Sequence, residues 1–373
     1  MQQGAATTLA LTFRGLSRFI ECASASFKAH AILFVIPLLY LAGNQLLLSG
    51  VTPHRGASWS DVCLAAFQVG MPAALFTMLL IRLFQYLFFI RPQSPIRALR
   101  DDVLSLFRSP KPFLNILPVM PVMVMLNKAM LDLKPSIPQI NPFSWDRTLA
   151  ELDRTLHFGV DPWRLLQPFV GYTVPTAIIN FAYCFWFLAL FTSDYWFAFQ
   201  REYTQLRIRF FLATMMAWWI GGGLMAVYFS SAGPAYYGLL GLAPDPFAPL
   251  MAYLHQVDEI VPIWALDAQR LLWDTFTAPG AHFLGISAFP SMHNAVAVII
   301  ALAGFKIGRG IGWMLTAYAF LIFLGSVHLG WHYAVDSYAA IAIALIAWYV
   351  AGPLARLNER LPWVKSYKEM MAG

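Results

Sequence analysis

Charge is the commodity this chain has least of. Only 12% of its 373 residues are Asp, Glu, Lys or Arg, against roughly 25% in ordinary globular chains, and that excludes a typical soluble fold. Cysteine is also sparse. Cys22, Cys63 and Cys184 stand far apart with no CxxC pair, which excludes a disulfide framework and a cysteine zinc site. No internal repeat, heptad pattern or low-complexity tract marks a solenoid, coiled coil or disordered tail. The first 30 residues lack a lysine-armed apolar run with a small-residue cleavage site, so the N-terminus is expected to be retained. Apolar surface is abundant: 59% of the residues are hydrophobic, with 30 Phe, 15 Tyr and 13 Trp, and the mean hydropathy is +0.60. A globular core cannot hide that much, so lipid must solvate part of it.

Eight apolar stretches approach the roughly 20 residues that cross a bilayer: Ala31 to Leu48, Val62 to Ile90, Phe113 to Leu131, Phe169 to Phe191, Phe210 to Phe229, Phe289 to Phe305, Ile311 to Leu329, and Val335 to Leu354. The expected fold class is therefore all-α, a polytopic membrane helix bundle with about eight transmembrane helices. The third stretch contains Pro118 and Pro121, which leaves a re-entrant or kinked segment open. Alternate connectors differ in charge. One set gathers Arg14, Arg18 and Lys28, then Arg91 to Lys111, Arg201 to Arg209, Lys306 and Arg309, and Arg356 to Lys368. The positive-inside rule makes that side cytoplasmic, puts both termini there, and turns the acidic connectors outward. The net charge of +6 then reports orientation rather than a nucleic-acid partner.

Two outward connectors are long. Residues 144–166 space Leu149, Leu152, Leu156 and Phe158 at helical intervals, which predicts an amphipathic helix on the membrane surface, either a plain cover or a substrate gate. The second, residues 231–287, contains Gly233-Pro234-Ala235-Tyr236-Tyr237 and a helical stretch around Val261 to Phe276. The expected organisation is an N-terminal transmembrane region, 1–168, a catalytic bundle, 169–354, and a basic tail, 355–373.

The candidate chemistry lies in the last third. Pro290-Ser291-Met292-His293-Asn294 opens the sixth span, and His328 to Asp336 joins the seventh to the eighth. Both segments fall at the outer face by span parity. A neutral imidazole is a good phosphorus nucleophile, and an aspartate on its other nitrogen fixes the tautomer. His332 and Asp336, four apart, share a face if helical. His293 is the candidate acid, and the helix start at Ser291 offers phosphate-binding N–H groups. Arg270, Ser291, Asn294, His328, Tyr236 and Tyr237 are candidates for holding substrate. Two other readings stay open: a metal held by His328, His332 and Asp336, and purely structural histidines. His30, His54, His157, His255 and His282 are expected to be solvated at the interface.

Pro290-Ser291-Met292-His293 and Gly330-Trp331-His332-Tyr333-Ala334-Val335-Asp336 resemble the second and third motifs of the type-2 phosphatidic acid phosphatase superfamily. The resemblance implies that His332 becomes phosphorylated, that Asp336 orients it, and that His293 protonates the leaving oxygen. No metal or other cofactor is implied. Two departures stand out. Gly325 and Ser326 replace the Ser-Arg that begins the family's third motif, and the first motif is absent: Phe84 stands where its lysine belongs before Arg91-Pro92. This pattern is similar to the branch of fungal inositol phosphorylceramide synthases. It implies a lipid phosphotransferase with a phospholipid donor and a lipid alcohol acceptor, or else a lipid phosphate phosphatase. A membrane transporter or a non-catalytic scaffold is the alternative of another class.

Overall fold

The computed structural model describes residues 17–51, 57–278 and 284–372; His54, Arg55, His282 and Arg14 lie outside them. The described chain is helical: α1 Ser17–Ala29, α2 Ile32–Leu47, α3 Trp59–Ile90, α4 Pro95–Phe107, α5 Lys111–Ile140, α6 Asp146–Leu156, α7 Pro162–Val170, α8 Thr173–Ala198, α9 Gln205–Tyr228, α10 Ala248–Asp258, α11 Trp264–Thr277, α12 Met292–Ile307, α13 Arg309–His328, α14 Ala334–Glu359 and α15 Pro362–Ala372. Each of the eight expected apolar segments carries one of these helices.

Among the described residues six helices, α3, α5, α8, α9, α13 and α14, are long and apolar enough to cross a membrane, and α1 with α2, bent by 65°, makes a seventh if the pair is one crossing. The sixth expected span is shorter than its apolar run: α12 has 16 residues. Its expected first residues, from Phe289, are instead non-helical and end a segment, residues 284–290, that is buried over most of its length. Non-helical backbone at this depth is tolerated because protein covers it. The doubtful third span is a continuous helix of 30 residues, α5, that passes through Pro118 and Pro121 without breaking. Pro118 is buried and Pro121 partly so, and neighbouring helices cover the turn they weaken.

Lipid-facing and core-facing surfaces separate cleanly. On α3, Phe76, Leu80, Phe84 and Phe88 form an exposed stripe at intervals of four, and only hydrocarbon can cover such a row. The centre is built by α9, α12, α13 and α14, with α12 packed along α13 and α9 along α14; α8 leans on α13, and α2 and α5 close the other side. Small residues let α12 and α13 approach. A Cβ on Gly304 would come within 2.6 Å of Leu315 and one on Gly312 within 2.3 Å of Phe305. One continuous apolar core runs from Ala29 to Met371.

The predicted amphipathic helix is α6, but its orientation differs from the expected one. Leu149 and Ala150 face inward together with Asp146 and Asp153, whereas Leu152 and Leu156 are exposed and Phe158, just beyond the helix, is 99% exposed. The reason is the ring of backbone donors beneath the helix. His30, expected at a solvated interface, is also different: it is fully buried against Arg207. His157 bonds the Tyr338 hydroxyl at 2.9 Å, and His255 is exposed.

Candidate functional site

The two motif segments meet at one end of α12, α13 and α14. Ser291, the N-cap of α12, donates its backbone N–H to the Asp336 carbonyl at 3.1 Å. The helix of the third motif starts only at Ala334, so His332 stands in the preceding turn and not on a helical face shared with Asp336. Asp336 is the third helical residue, and its Oδ2 accepts the Tyr333 N–H at 3.0 Å, closing a capping box. The turn still brings the two side chains together: His332 Nδ1 lies 3.5 Å from Asp336 Oδ2. A nearer partner is the Ala288 carbonyl, at 2.7 Å from Nδ1. A carbonyl can only accept, so the proton is on Nδ1 and the lone pair on Nε2. Burial holds the His332 imidazole down to about 4, with the Lys134 charge acting in the same direction and the Ala288 hydrogen bond opposing. The ring is thus neutral near pH 7, which a nucleophile requires.

His293 lies across from it, in the first turn of α12. The ring centroids of His293 and His332 are 6.3 Å apart and the planes are inclined at 56°. With reacting atoms about 3–3.5 Å apart in a near-attack geometry, one phosphorus atom with its oxygens spans that gap. Aromatic side chains of α8 fix the His293 ring: Tyr183 stacks on it at 4.7 Å, and Trp186 packs at 4.1 Å while donating its indole N–H to the His293 carbonyl at 3.0 Å.

The remaining predicted residues are distributed differently. Asn294 is buried, with Nδ2 at 2.9 Å from Ser291 Oγ, 2.6 Å from Ser326 Oγ and 3.0 Å from Ser337 Oγ. Its two N–H groups serve these three hydroxyls two at a time, tying α12 to α13 and α14. Ser291 belongs to that network and is 0% exposed. His328 is buried, and its Nε2 meets the Thr176 hydroxyl at 2.8 Å. Arg270 lines a separate cavity of about 420 Å³ with Tyr236, His255 and Trp273, and neither motif histidine lines it. Tyr236 is buried with its hydroxyl donating to the Gln269 carbonyl at 3.1 Å; Tyr237 is buried against Phe247. Gly233, at φ +103°, gives this loop its turn, and a Cβ there would fall 2.6 Å from the Trp331 carbonyl oxygen.

Three groups at this end carry no motif. Asp146 Oδ1 accepts the Gly233 N–H at 2.7 Å and the Tyr333 hydroxyl at 2.9 Å, and Oδ2 accepts the Ala232 N–H at 2.9 Å. Asp153 accepts the Ala334 and Val335 N–H groups at 2.7 and 2.8 Å, at the N-terminus of α14. Burial raises both carboxyls, Asp153 to about 7, against the lowering effect of those hydrogen bonds. The third group is Lys134, near the end of α5, whose charge acts on both His293 and His332. The sequence signal for the two aspartates is their i, i+7 spacing on the face that also carries Leu149 and Ala150; Lys134 has no such signal.

Among the described residues no group of three or more His, Cys, Asp or Glu side chains is arranged to hold a metal ion. His328, one member of the alternative metal set, is engaged with Thr176. The PAP2 superfamily matches the chain over residues 147–350, more than half of its length and including α6 after Asp146 as well as both motifs. No curated protein and no solved structure gives a match.

Proposed function

This chain belongs to the PAP2 superfamily, a membership that supports a lipid phosphatase or phosphotransferase function for an integral membrane protein, and from that premise we propose a lipid head-group phosphotransferase working through a phospho-histidine. The observation that carries the reading is the pair of imidazoles, brought from the first turn of α12 and the turn before α14 to a centroid distance of 6.3 Å.

In the first step the Nε2 lone pair of His332 attacks the phosphorus of a phospholipid in line. The P–O bond to the leaving alcohol breaks, and His293 gives its proton to that oxygen. The positive charge that develops on His332 is met by the Ala288 carbonyl and the Asp336 carboxylate. In the second step His293, now a base, takes the proton of an acceptor hydroxyl; the acceptor oxygen bonds to phosphorus, and the P–N bond breaks to restore neutral His332. Positioning and charge stabilisation supply most of the rate in such transfers. With a lipid alcohol as acceptor the product is a new phospholipid, and with water it is a hydrolysed one. The departures from the phosphatase motifs at Gly325, Ser326 and Phe84 favour transfer. Charge asymmetry of the connectors supports an extracytoplasmic site with both termini cytoplasmic.

The test uses the purified full chain in lipid nanodiscs with a head-group-labelled phospholipid and a lipid alcohol. Label in a new lipid and, transiently, on His332 is expected. Label released only as a water-soluble phosphate would select hydrolysis, and label in neither would overturn the reading.

A further inference from the structure

We propose that Tyr183 on α8 is the positioning residue of the His293 imidazole, and that residue 325 on α13 is glycine in order to admit the Tyr183 ring. The acid's role rests on the phosphotransfer reading above; the placement of its ring is tested without turnover.

An acid that must reach one leaving oxygen has to hold its ring in place. For His332 a hydrogen bond does this, from Nδ1 to the Ala288 carbonyl at 2.7 Å. For His293 none does. Among the described residues neither of its ring nitrogens has a hydrogen-bond partner, and the bond from the Trp186 indole ends on its backbone carbonyl. Aromatic faces hold the ring instead. Tyr183 lies nearly parallel to it, 12° between planes at 4.7 Å, while Trp186 packs at 4.1 Å and 36° and Phe187 meets it edge-on at 6.0 Å. All three side chains come from one stretch of α8. Tyr183 is 4% exposed and Trp186 1%, so neither ring has open space to swing into. Tyr183 differs from the other two in its second neighbour: it is also parallel to Trp331, at 11° and 6.5 Å, the residue before His332. One phenol ring thus spaces the second motif from the third.

Tyr183 is fixed in turn by a missing side chain. A Cβ on Gly325 would fall 2.7 Å from Tyr183 Cδ2, 3.4 Å from Tyr183 Cβ and 3.2 Å from Ile179 Cγ2. Cδ2 sits at the root of a rigid ring, so it cannot yield unless the whole ring shifts against His293. The backbone at Gly325 is helical, in the last turn of α13, and its φ is not positive. Conformation does not call for glycine there; space does. Gly325 and Ser326 are the two positions at which the third motif departs from the pattern it resembles, and both departures serve the acid. Ser326 Oγ accepts from Asn294, the residue after His293, at 2.6 Å, and Gly325 admits the ring on which His293 lies.

The experiment compares wild type, Tyr183→Phe, Tyr183→Leu, Gly325→Ala and the double variant Tyr183→Leu/Gly325→Ala as full chains in lipid nanodiscs, with thermal unfolding as the folding control. Two readouts are taken: the His293 ring resonances of histidine-labelled protein, and steady-state transfer of a labelled head group from a phospholipid to a lipid alcohol. A stacked ring shields the imidazole protons, so Tyr183→Leu should move the His293 signal downfield, Gly325→Ala should displace it, and Tyr183→Phe should leave it in place. Tyr183→Leu is expected to lower kcat and kcat/KM together by about ten- to a hundredfold, the scale of a misplacement near 1 Å, and Gly325→Ala by about tenfold. Tyr183→Phe, which keeps the ring, should restore most of the loss. In the Tyr183→Leu background Gly325→Ala should cost nothing further, since the ring it would strike is gone. An unmoved His293 signal in Tyr183→Leu, a loss in Tyr183→Phe as large as that in Tyr183→Leu, a rise in KM alone, or additive losses in the double variant would each overturn the proposal. If Tyr183→Leu does not fold, Gly325→Ala decides: wild-type resonances and turnover in that variant would overturn it equally. Wild type without turnover would remove the phosphotransfer reading, and the resonances would still decide what holds the ring.

Discussion

Arg207 and Lys134 carry positive charge into the same bundle near opposite ends of α5, with about 28 Å of helix between Asn115, which contacts Arg207, and Lys134 at 1.5 Å per residue. Around Arg207 the donors are accounted for. Nε donates to the Phe197 carbonyl at 2.7 Å, Nη2 to the Asn115 carbonyl at 2.6 Å and toward Ala198, and Nη1 meets His30 Nε2, whose Nδ1 in turn lies 2.7 Å from the Ser26 carbonyl. Tyr203, Asn358 and Tyr367 surround this cluster and tie α1, α9, α14 and α15 together. Among the described residues the Lys134 ammonium has no such partners. A buried cation whose donors are met by carbonyls and an imidazole is part of the fold.

The sharpest break between the two ends is expected in turnover. His332→Ala and His293→Ala should each lower it about a thousandfold or more while the thermal transition stays intact, and a histidine variant that retains full turnover would remove the two-imidazole mechanism. Next in size is Arg207→Met. It strips a cation from matched acceptors and should cost roughly 3–5 kcal/mol, read as a lower unfolding midpoint in detergent; an unchanged midpoint would mean that the cluster does not hold the helices together.

Asp153 sharpens the contrast through pH. Its carboxyl titrates near 7 in the folded protein and near 3.8 ordinarily, so between those values the native state binds the extra proton. Stability from this group is therefore present at low pH and lost as pH rises toward 7, by about 2 kcal/mol between pH 5 and 7 at 1.36 kcal/mol per unit. Asp153→Asn should flatten that slope in thermal unfolding, and a slope that survives the substitution would assign it to another group. The smallest expected effect is on stability in Lys134→Met: within about 1 kcal/mol of wild type, because no partner is left unpaired. A loss like that of Arg207→Met would show that Lys134 is structural after all.

Much of the site is legible in the sequence because its parts are local. Pro290 to His293 and Gly330 to Asp336 announce the chemistry by type and spacing, and the apolar runs announce the helices. What escapes is whatever depends on burial from a distant element. Arg207 and His30 read as a cytoplasmic charge and a solvated histidine, since the helices that enclose them are remote in sequence. Lys134 follows a stretch that two prolines make look like a doubtful crossing. Asp146 and Asp153 sit on a helix whose polar face would ordinarily turn to water, but the unpaired N–H groups of the 232–233 loop and of the α14 start reverse the preference. Asp336 shows a milder form of the same effect: four residues from His332 is the right spacing, and a capping turn rather than a helical face makes the meeting.

The carboxylates of α6 have one more consequence. Lifting that helix off the end of the bundle would strand four peptide N–H groups and a phenol, each worth roughly 1–3 kcal/mol when left bare, so the roof does not hinge. On the lipid-transfer reading proposed above, a roof that stays shut leaves the gaps between helices as the route to the imidazoles. An engineered disulfide riveting α6 to the loop below is then expected to leave turnover untouched, and a loss of turnover would show that the roof must lift.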